Sequence, residues 1–469
     1  MGNNVSELEN QRWAVVGGGM LGLTLALRLT RAGQRVVLYE AAPVLGGLAS
    51  AWQLGDVEWD RHYHVTLLSD NSLRGVLQEL DLEKEIKWVE TKTGFYTGGK
   101  HYSMSNNVEF LTFPPLSLVE KVRLGWTIFY ASKIKAWQRL ESVPVTDWLR
   151  RWSGEGTFSK IWLPLLKAKL GSAYKKVSAA FIWAHINRMY AARRTGLKKE
   201  MFGYVPGGYA RILERMAEEL VDLGVEIRMG SPVEEILTLE DERVRVQTND
   251  RDEAFDKVVV AAPSSIMARA CPQLPAEERK QHEDIEYLGI ICSSLLLKRP
   301  LNGYYVTNIT DSWVPFTAVI EMTTIVQPEE LNGHHLVYLP NYVTADDPAW
   351  SWSDEEVEEK FLSALTKMYP DFQREDAVAF RTSRVRSVMA LPTQDYSQKL
   401  PPMKSKLPNV FAVNSAQILG GNLNVNETIA LADRAVEELL LPSVPECTTV
   451  SIPSEHTDDE AVGELVARS

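Results

Sequence analysis

The stretch WAVVGGGMLG, residues 13–22, decides the architecture of this chain. Its first four residues form a short apolar run of the kind that makes a buried strand. Glycines follow, and apolar residues then recur at helical spacing from Leu21 to Leu29, with Gly33 placed to end the helix. A second apolar run covers residues 36–39. A strand, a helix and a second strand in such short succession predict a parallel βαβ unit.

Three glycines in this stretch have the spacing G-x-G-x-x-G. Gly17 permits a tight turn, Gly19 lets the backbone approach a diphosphate, and Gly22 allows the helix to pack closely on the strand. The start of the helix offers free N–H groups and a partial positive charge to the same diphosphate. Glu40, at the end of the second strand, accepts hydrogen bonds from an adenosine ribose and repels a 2′-phosphate. The residues expected to bind the dinucleotide here are Gly17, Gly18, Gly19, Met20, Leu21, Gly22 and Glu40.

A second glycine pair, Gly46 and Gly47, follows shortly after Glu40. It lets another loop reach the same diphosphate, which nicotinamide-dependent dehydrogenases do not need, so the sequence favours FAD. At this point the chain resembles the superfamily of flavin amine oxidases, protoporphyrinogen oxidases and phytoene desaturases. In that superfamily an arginine follows the two glycines, whereas this chain has Leu48 and then Ala49. A leucine side chain cannot donate to phosphate, so only the backbone from Gly46 to Ala49 is expected to bind the cofactor.

The resemblance extends along most of the chain and implies further contacts with the cofactor. Val233 matches a valine whose backbone meets the adenine, and Ala262 ends a strand that returns to the cofactor. Asn414 stands where the superfamily has an aspartate, and its amide is still able to bond a ribityl hydroxyl. Asn424 leads into a helix whose N-terminus should point at the pyrimidine edge of the flavin and stabilise negative charge there.

The sequence DRHYH, residues 60–64, lies where chains of this superfamily pass the isoalloxazine ring, and it resembles the histidine-containing strand of the UDP-galactopyranose mutase branch. On a strand, His62 and His64 would face one side and Tyr63 the other. One interpretation makes His62, Tyr63 and His64 catalytic, with a histidine as proton carrier or substrate contact near flavin N5. The other makes them hydrogen-bonded structural residues, and spacing alone does not choose between the two.

Composition argues against several other classes of protein. The three cysteines are far apart and form no C-x-x-C pair, so neither a disulfide framework nor a metal site is expected. The N-terminus is polar and no apolar run approaches the roughly 18 residues that span a bilayer, which predicts a cytoplasmic protein. The net charge of −12 and the absence of a recognisable binding module predict no nucleic-acid partner.

Charge is distributed unevenly along the chain. Residues 113–200 contain 17 Lys and Arg but only 5 Asp and Glu, together with several tryptophans. Basic side chains beside amphipathic rings suit a lipid-like or pyrophosphate-containing substrate, or a peripheral contact with the inner face of a membrane. The same composition also fits an ordinary helical domain with an aromatic core and a solvated basic face. Both interpretations stay open at this point.

The predicted fold class is α/β. It combines a Rossmann-type FAD-binding domain of three layers (ββα), built from discontinuous segments, with a mixed α+β substrate domain. Alternating apolar residues after residue 290 predict an antiparallel sheet in the substrate domain. The tail is rich in Pro, Ser and acidic residues, which predicts mobility. The expected division is residues 1–100, 200–290 and 390–440 for the FAD-binding domain, 101–199 and 291–389 for the substrate domain, and 441–469 for the mobile tail.

Three functions are compatible with these residues and with the resemblance. The first is an FAD-dependent oxidoreductase that takes a hydride from a C–H or C–N bond of an apolar or lipid-like substrate onto flavin N5. The second is a sugar-nucleotide mutase that uses reduced flavin without net redox. The third is a non-catalytic binding protein with a flavoprotein fold, suggested by the replaced positions Leu48 and Asn414. Under the first function, the residues expected to form an apolar wall of the substrate cleft are Tyr304, Tyr305, Trp313 and Phe316.

Overall fold

The computed structural model describes residues 10–192 and 200–441 of the chain. The predicted mobile tail lies outside the described residues beyond Leu441. The strands are, in chain order, β1 (Arg12–Val16), β2 (Arg35–Tyr39), β3 (Ala51–Leu54), β4 (Val57–Asp60), β5 (Thr66–Leu67), β6 (Lys87–Glu90), β7 (Thr93–Thr97), β8 (Lys100–Ser103), β9 (Met201–Tyr204), β10 (Glu226–Arg228), β11 (Val233–Thr238), β12 (Val244–Thr248), β13 (Asp252–Phe255), β14 (Lys257–Val260), β15 (Tyr287–Leu297), β16 (Val306–Ile309), β17 (Ala318–Glu321), β18 (His335–Val343), β19 (Ala377–Ala390) and β20 (Val410–Ala412). The α-helices are α1 (Met20–Arg31), α2 (Asn71–Glu79), α3 (Asn107–Thr112), α4 (Leu118–Lys133), α5 (Val145–Thr157), α6 (Leu163–Leu170), α7 (Ala179–Ala192), α8 (Gly208–Asp222), α9 (Ser264–Ala270), α10 (Ala276–Glu283), α11 (Asp354–Met368) and α12 (Val425–Ala435).

Five strands form a parallel sheet in the order β10-β2-β1-β14-β20. Val15 in β1 is in register with Leu38 on one side and with Val259 on the other, so the first βαβ unit forms as the sequence predicts. The side chains of β1 and β2 are almost wholly buried, and each of these two strands for that reason contains a continuous run of apolar residues. Because β14 and β20 return to this sheet after long intervening segments, the sheet is built from separated parts of the chain.

Helices and a small antiparallel sheet cover the two faces of the parallel sheet. On one face, α1, α8 and α12 bury Leu25, Met216 and Ile429 in a common core. On the other face, β11, β12 and β13 bury Ile236 and Val246 against the parallel strands. Helices, parallel sheet and antiparallel sheet are the three layers of the predicted Rossmann-type domain, and the predicted fold class is confirmed.

The second large sheet has seven strands in the order β19-β15-β18-β17-β16-β7-β8. Its strand pairs are antiparallel except for β16 with β7, which is parallel. The antiparallel sheet expected after residue 290 is therefore present, and β7 joins it from the N-terminal part of the chain. The domain limits stay a prediction. Because β7 belongs to the seven-stranded sheet, its position favours a boundary between the two domains before residue 93.

Helices α3 to α7 form a helical layer beside this sheet. Trp126 is 52% exposed, but the other tryptophans of the helical layer contribute to the interior of that layer. No helix among the described residues is long and apolar enough to cross a bilayer. The tryptophans that lie in or against the helical core are Trp137, Trp148, Trp152, Trp162 and Trp183.

The apolar wall expected from Tyr304, Tyr305, Trp313 and Phe316 does not form. Tyr305 packs edge-on against Phe202, with 4.9 Å between ring centroids, in the core on one face of the seven-stranded sheet. Phe316 lies in the core on the opposite face, beneath α11, and Trp313 is 39% exposed. The prediction was wrong because the two faces of the sheet separate side chains that are close in sequence.

Candidate active site

Two glycine-rich loops meet at the start of α1. The Gly46 N–H donates to the Gly18 carbonyl at 2.8 Å, and Gly19 pairs with Gly46 in an isolated parallel bridge. A Cβ at Gly47 would lie 3.3 Å from the Gly19 Cα, whereas a Cβ at Gly19 would meet no atom closer than 3.9 Å. The structure thus brings together the two loops that the sequence assigns to one diphosphate, and their facing backbones carry no side chains.

Gly17 and Gly22 shape the turn between β1 and α1. Gly17 has a φ of +116°, a conformation that glycine adopts without steric cost. A Cβ at Gly22 would overlap the Gly17 carbonyl oxygen, and a Cβ at Gly17 would lie 3.0 Å from the Ala261 carbonyl oxygen. The turn is therefore packed between α1 and the end of β14, next to Ala262.

The N–H groups at the start of α1 are not capped by a side chain. Gly19 is the N-cap residue and makes no side-chain hydrogen bond, while Met20 and Leu21 begin the helix with buried side chains. The helix dipole adds partial positive charge at this end. An uncapped helix start beside bare glycine backbone fits the diphosphate of FAD.

Glu40 is held at the end of β2 by two backbone donors. The Gly18 N–H donates to its Oε2 at 2.6 Å, and the Ala42 N–H donates to its Oε1 at 2.7 Å. Each oxygen keeps acceptor capacity for a ribose hydroxyl. The Ser231 N–H donates to the Glu40 carbonyl at 2.9 Å, which brings the strand that begins at Val233 to the same place. The two residues expected at the adenosine end are thus neighbours.

The second glycine loop is tied to the residues that follow β4. His62 Nδ1 lies 3.0 Å from the Leu48 carbonyl oxygen, and since a carbonyl only accepts, the proton is on Nδ1 and Nε2 is an acceptor. That Nε2 is buried and has no hydrogen-bond partner in the described part of the chain. Ala49, next to Leu48, is buried at the end of a short 3-10 turn.

Arg61 brings a positive charge to this loop, which lacks the arginine usual at the position of Leu48. Its Nη2 donates to the Gly47 carbonyl at 3.0 Å, and its Nε is buried without a partner among residues 10–192 and 200–441. Sequence reasoning missed this residue because its proximity depends on the pairing of β3 with β4. The available signal was an arginine adjoining the histidine cluster while the expected one was absent.

The segment with His62, Tyr63 and His64 is an irregular connection, because β4 ends at Asp60 and β5 begins at Thr66. His64 Nδ1 lies 3.0 Å from the His62 carbonyl oxygen, a local contact between residues two apart. Strand alternation therefore does not set the directions of these side chains, and the strand geometry expected here is wrong. Their catalytic role stays a prediction.

The three side chains have separate surroundings. The His64 ring packs on Tyr209 with 4.8 Å between centroids, and the Tyr63 hydroxyl lies 2.9 Å from the Tyr342 hydroxyl. Burial lowers the pKa of both His62 and His64 to about 4. Both imidazoles are therefore neutral near pH 7. They are suited to accept hydrogen bonds and not to carry a positive charge.

The two asparagines expected near the flavin cap local turns. Asn414 Oδ1 accepts from the Ala416 N–H at 3.0 Å, and its Nδ2 donates to Ser264 Oγ at 3.2 Å. Asn424 is the N-cap of α12, where its Oδ1 accepts from the Glu427 N–H at 3.0 Å. Each amide is thus partly used within the protein, and Asn414 keeps one N–H for a further acceptor.

A small pocket that is partly open to solvent lies between α7, the end of β19 and the loop that precedes α12. Apolar side chains and polar groups of the loop both contribute to its walls. Since α12 packs on α1, this loop connects the cavity to the helix that starts at the glycine loops. The residues that define it include Phe181, Met389, Pro392, Ile418, Asn422 and Leu423.

A second, smaller pocket is lined by Asp60, His64 and Tyr209. Asp60 is 3% exposed, and its Oδ1 accepts from the Tyr209 N–H at 2.7 Å. Burial raises the pKa of Asp60 to about 7, although the hydrogen bond from Tyr209 acts in the opposite direction. No role could be assigned to this carboxyl from the sequence, because α8, which contacts it, is distant in the chain.

Comparison with known proteins places this site in a family. The family described as flavin containing amine oxidoreductase matches residues 21–440. The 15-cis-phytoene desaturase of Narcissus pseudonarcissus is 23% identical over 388 residues, which are 76% of this chain and 66% of that protein. The match spans 52% of the length of the 15-cis-phytoene desaturase of Synechococcus elongatus and 66% of the length of that of Narcissus pseudonarcissus.

Solved structures share the fold. A protein from Exiguobacterium sp. 255-15, described as a candidate protoporphyrinogen oxidase, has a TM-score of 0.73 at 18% identity, covering 92% of this chain and 99% of that one. Reduced UDP-galactopyranose mutase has a TM-score of 0.72 at 15% identity, with coverages of 95% and 98%. The family match confirms the resemblance seen in the sequence and the expected flavin cofactor, and the family is one of oxidoreductases. The chain belongs to the flavin containing amine oxidoreductase family.

Proposed function

We propose that this chain takes a hydride from a C–H or C–N bond of an apolar or lipid-like substrate. The observation that carries the proposal is the pocket beside Phe181 and Leu423, which has aromatic and aliphatic side chains in its wall and adjoins the loop before α12. A bound flavin supplies the acceptor for the two electrons. Relatives that are named phytoene desaturases support oxidation of a C–H bond in particular.

The chain's own residues bind the cofactor and orient the substrate. In this proposal the loops at Gly19 and Gly46 hold the diphosphate, and Glu40 holds the ribose. His62, with its buried acceptor Nε2, receives a hydrogen bond at the flavin or the substrate. Tyr63 and His64 line the adjoining space, and the surrounding core excludes water from the reacting bond.

The test of this function is spectroscopic. Protein purified in the presence of FAD should be yellow and should bleach anaerobically when a long-chain polyene or amine is added, because the substrate's electrons reduce the flavin. A protein that cannot be reconstituted with FAD would instead support the non-catalytic alternative. Isomerisation of a nucleotide sugar by the reduced protein, without consumption of reducing equivalents, would support the mutase.

We also propose that the substrate comes from a lipid surface that contacts α3 and α4. An apolar stripe of exposed side chains runs along these helices, with positions 118, 122, 126 and 129 on one face of α4. An exposed patch of this kind is unusual unless something covers it. The stripe residues, which are 45–70% exposed, are Val108, Leu111, Leu118, Val119, Val122, Trp126 and Phe129.

Charge complementarity favours anionic lipid as the occupant. The Lys133 ammonium lies 5.3 Å from the centroid of the Phe129 ring, at the end of the stripe. Arg123 and Lys135 are exposed nearby, within a segment that is strongly basic in an acidic protein. Helix α4 packs on α7, which carries Phe181 of the cavity, so a substrate leaving the lipid would have one helix layer to pass.

Replacing Val122 with glutamate should release the protein from anionic vesicles. The charged side chain would oppose both the apolar contact and the negative lipid surface, and we expect the bound fraction to fall about 5- to 10-fold. The measurement is co-flotation with vesicles of phosphatidylcholine and phosphatidylglycerol. Val221→Glu is the matched control, because Val221 on α8 is 59% exposed and lies outside the stripe. Equal flotation of the two variants would contradict the proposed lipid surface.

A further inference from the structure

A series of contacts connects the second glycine loop with Lys169 on α6. His62 bonds the Leu48 carbonyl, and the hydroxyl of the next residue, Tyr63, lies 2.9 Å from the Tyr342 hydroxyl. The Lys169 ammonium, on α6, lies 3.2 Å from the centroid of the Tyr342 ring. A cation therefore covers one face of the Tyr342 ring.

Helix α6 is fixed in a position that keeps Lys169 against the seven-stranded sheet. The Thr317 hydroxyl donates to the Ala168 carbonyl at 2.8 Å, one residue before Lys169. Lys169 is half-buried, and no carboxylate pairs with it among the described residues. Within residues 10–192 and 200–441 its charged group instead contacts the face of Tyr342, which offers much less stabilisation than an anion.

The neighbouring charged groups on α7 do not compensate Lys169. Arg188 forms a bidentate pair with Asp70, at 2.9 Å and 3.1 Å, so the carboxylate of Asp70 is already used. Burial and, to a smaller extent, the nearby Lys169 together lower the pKa of His185 to about 4, so His185 stays neutral. His185 packs against Phe181, which lines the cavity, with 5.8 Å between ring centroids.

We propose that Lys169 binds an anionic group, a carboxylate or a phosphate, at one end of the substrate, while the apolar body of the substrate lies in the cavity beside Phe181. A half-buried ammonium without a counter-ion gains a charge-assisted hydrogen bond from such a group. The apolar walls beyond His185 suit a chain rather than a second charge. This inference rests on the proposed function for its use of the cavity, and it names the class of substrate as amphipathic and anionic.

Calorimetric titration of the FAD-loaded protein with hexyl phosphate, hexanoate and hexanol tests the inference. We expect the two anions to bind more tightly than the alcohol, and Lys169→Gln to weaken anion binding about 10- to 100-fold without changing hexanol binding. Lys169→Arg should keep most of the anion affinity. Lys167→Gln is the matched control, since Lys167 lies on the same helix with an exposed side chain.

The outcomes separate the two sources of negative charge. An effect of Lys169→Gln on hexyl phosphate alone identifies a phosphate site, and an effect on hexanoate alone identifies a carboxylate site. Anion binding that is unchanged in Lys169→Gln, or no stronger than hexanol binding in the unaltered protein, would overturn the inference. The titration measures binding and not turnover. Its result can therefore be interpreted even if the protein oxidises no substrate.

Discussion

Replacing Gly19 with aspartate is expected to abolish FAD binding while the protein still folds. Gly19 has a φ of −75°, which any residue adopts, and a Cβ there would meet no atom within 3.9 Å. Aspartate is a preferred N-cap residue, so its carboxylate would accept from the first N–H groups of α1. Those are the groups that fit the diphosphate, and the added charge would also repel it. We expect FAD affinity to fall at least ~100-fold.

The paired measurements are the flavin content of the purified protein and the melting temperature of the apoprotein. Gly19→Asp should lose the flavin absorbance, yet melt at the same temperature as the unaltered apoprotein or slightly higher, because the new cap stabilises α1. Gly75→Asp provides the control, since Gly75 lies within α2 and a Cβ there would meet nothing within 4 Å. If Gly19→Asp retained FAD at the original affinity, the assignment of this loop to the diphosphate would be wrong.

The sequence was sufficient where the signal is local. The turn from β1 into α1 could be predicted because Gly17 has a positive φ and a Cβ at Gly22 would overlap Gly17, five residues earlier. The same holds for α8, in which Ile212 and Met216 recur at helical spacing and are both buried. The meeting of the two glycine loops could also be expected, because Gly46 follows Glu40 closely in the chain.

Features that depend on distant parts of the chain could not be read from the sequence. Lys169 lies on Tyr342, and Asp60 accepts a hydrogen bond from Tyr209, across separations that no spacing rule covers. Arg61 reaches the second glycine loop only because β3 and β4 pair, as they bring Ser50 and Arg61 together. Charge and burial at the candidate site are therefore products of tertiary packing, even though the cofactor motif that they adjoin is local.

Three ionisable side chains are buried in and beside the histidine segment, and their protonation makes the stability of the fold depend on pH. Burial disfavours the charged forms of His62, His64 and Asp60 alike, which lowers the pKa of each histidine to about 4 and raises that of Asp60 to about 7. Between about pH 4 and pH 6.5 the unfolded chain therefore binds more protons at the two histidines than the folded chain does. Between pH 3.8 and about pH 7 it binds fewer protons at Asp60. The histidines destabilise the fold as the pH falls below about 6.5, whereas Asp60 destabilises it as the pH rises.

Replacing Asp60 with asparagine should therefore stabilise the protein, and more so at pH 8 than at pH 5. The pKa of Asp60 is raised from 3.8 to about 7 in the folded state, so the stability of the neutral form is complete below pH 3.8 and is lost as the pH rises to about 7. Asparagine has no charge to bury and keeps an oxygen for the Tyr209 N–H. With each pKa unit equivalent to about 1.4 kcal/mol, we expect a gain of order 2–4 kcal/mol at pH 8 and a clearly smaller one at pH 5.

Urea unfolding of the apoprotein at pH 5, 6, 7 and 8 measures this difference for the two proteins under identical conditions. Asp347→Asn serves as the control: the carboxylate of Asp347 also accepts from a backbone N–H, that of Ala349 at 2.8 Å, but it is only half-buried. That variant should show no comparable gain as the pH rises. A change of stability in Asp60→Asn that is equal at every pH would show that the pKa of Asp60 is not raised in the folded state, because a raised pKa makes the difference between the two proteins grow with pH.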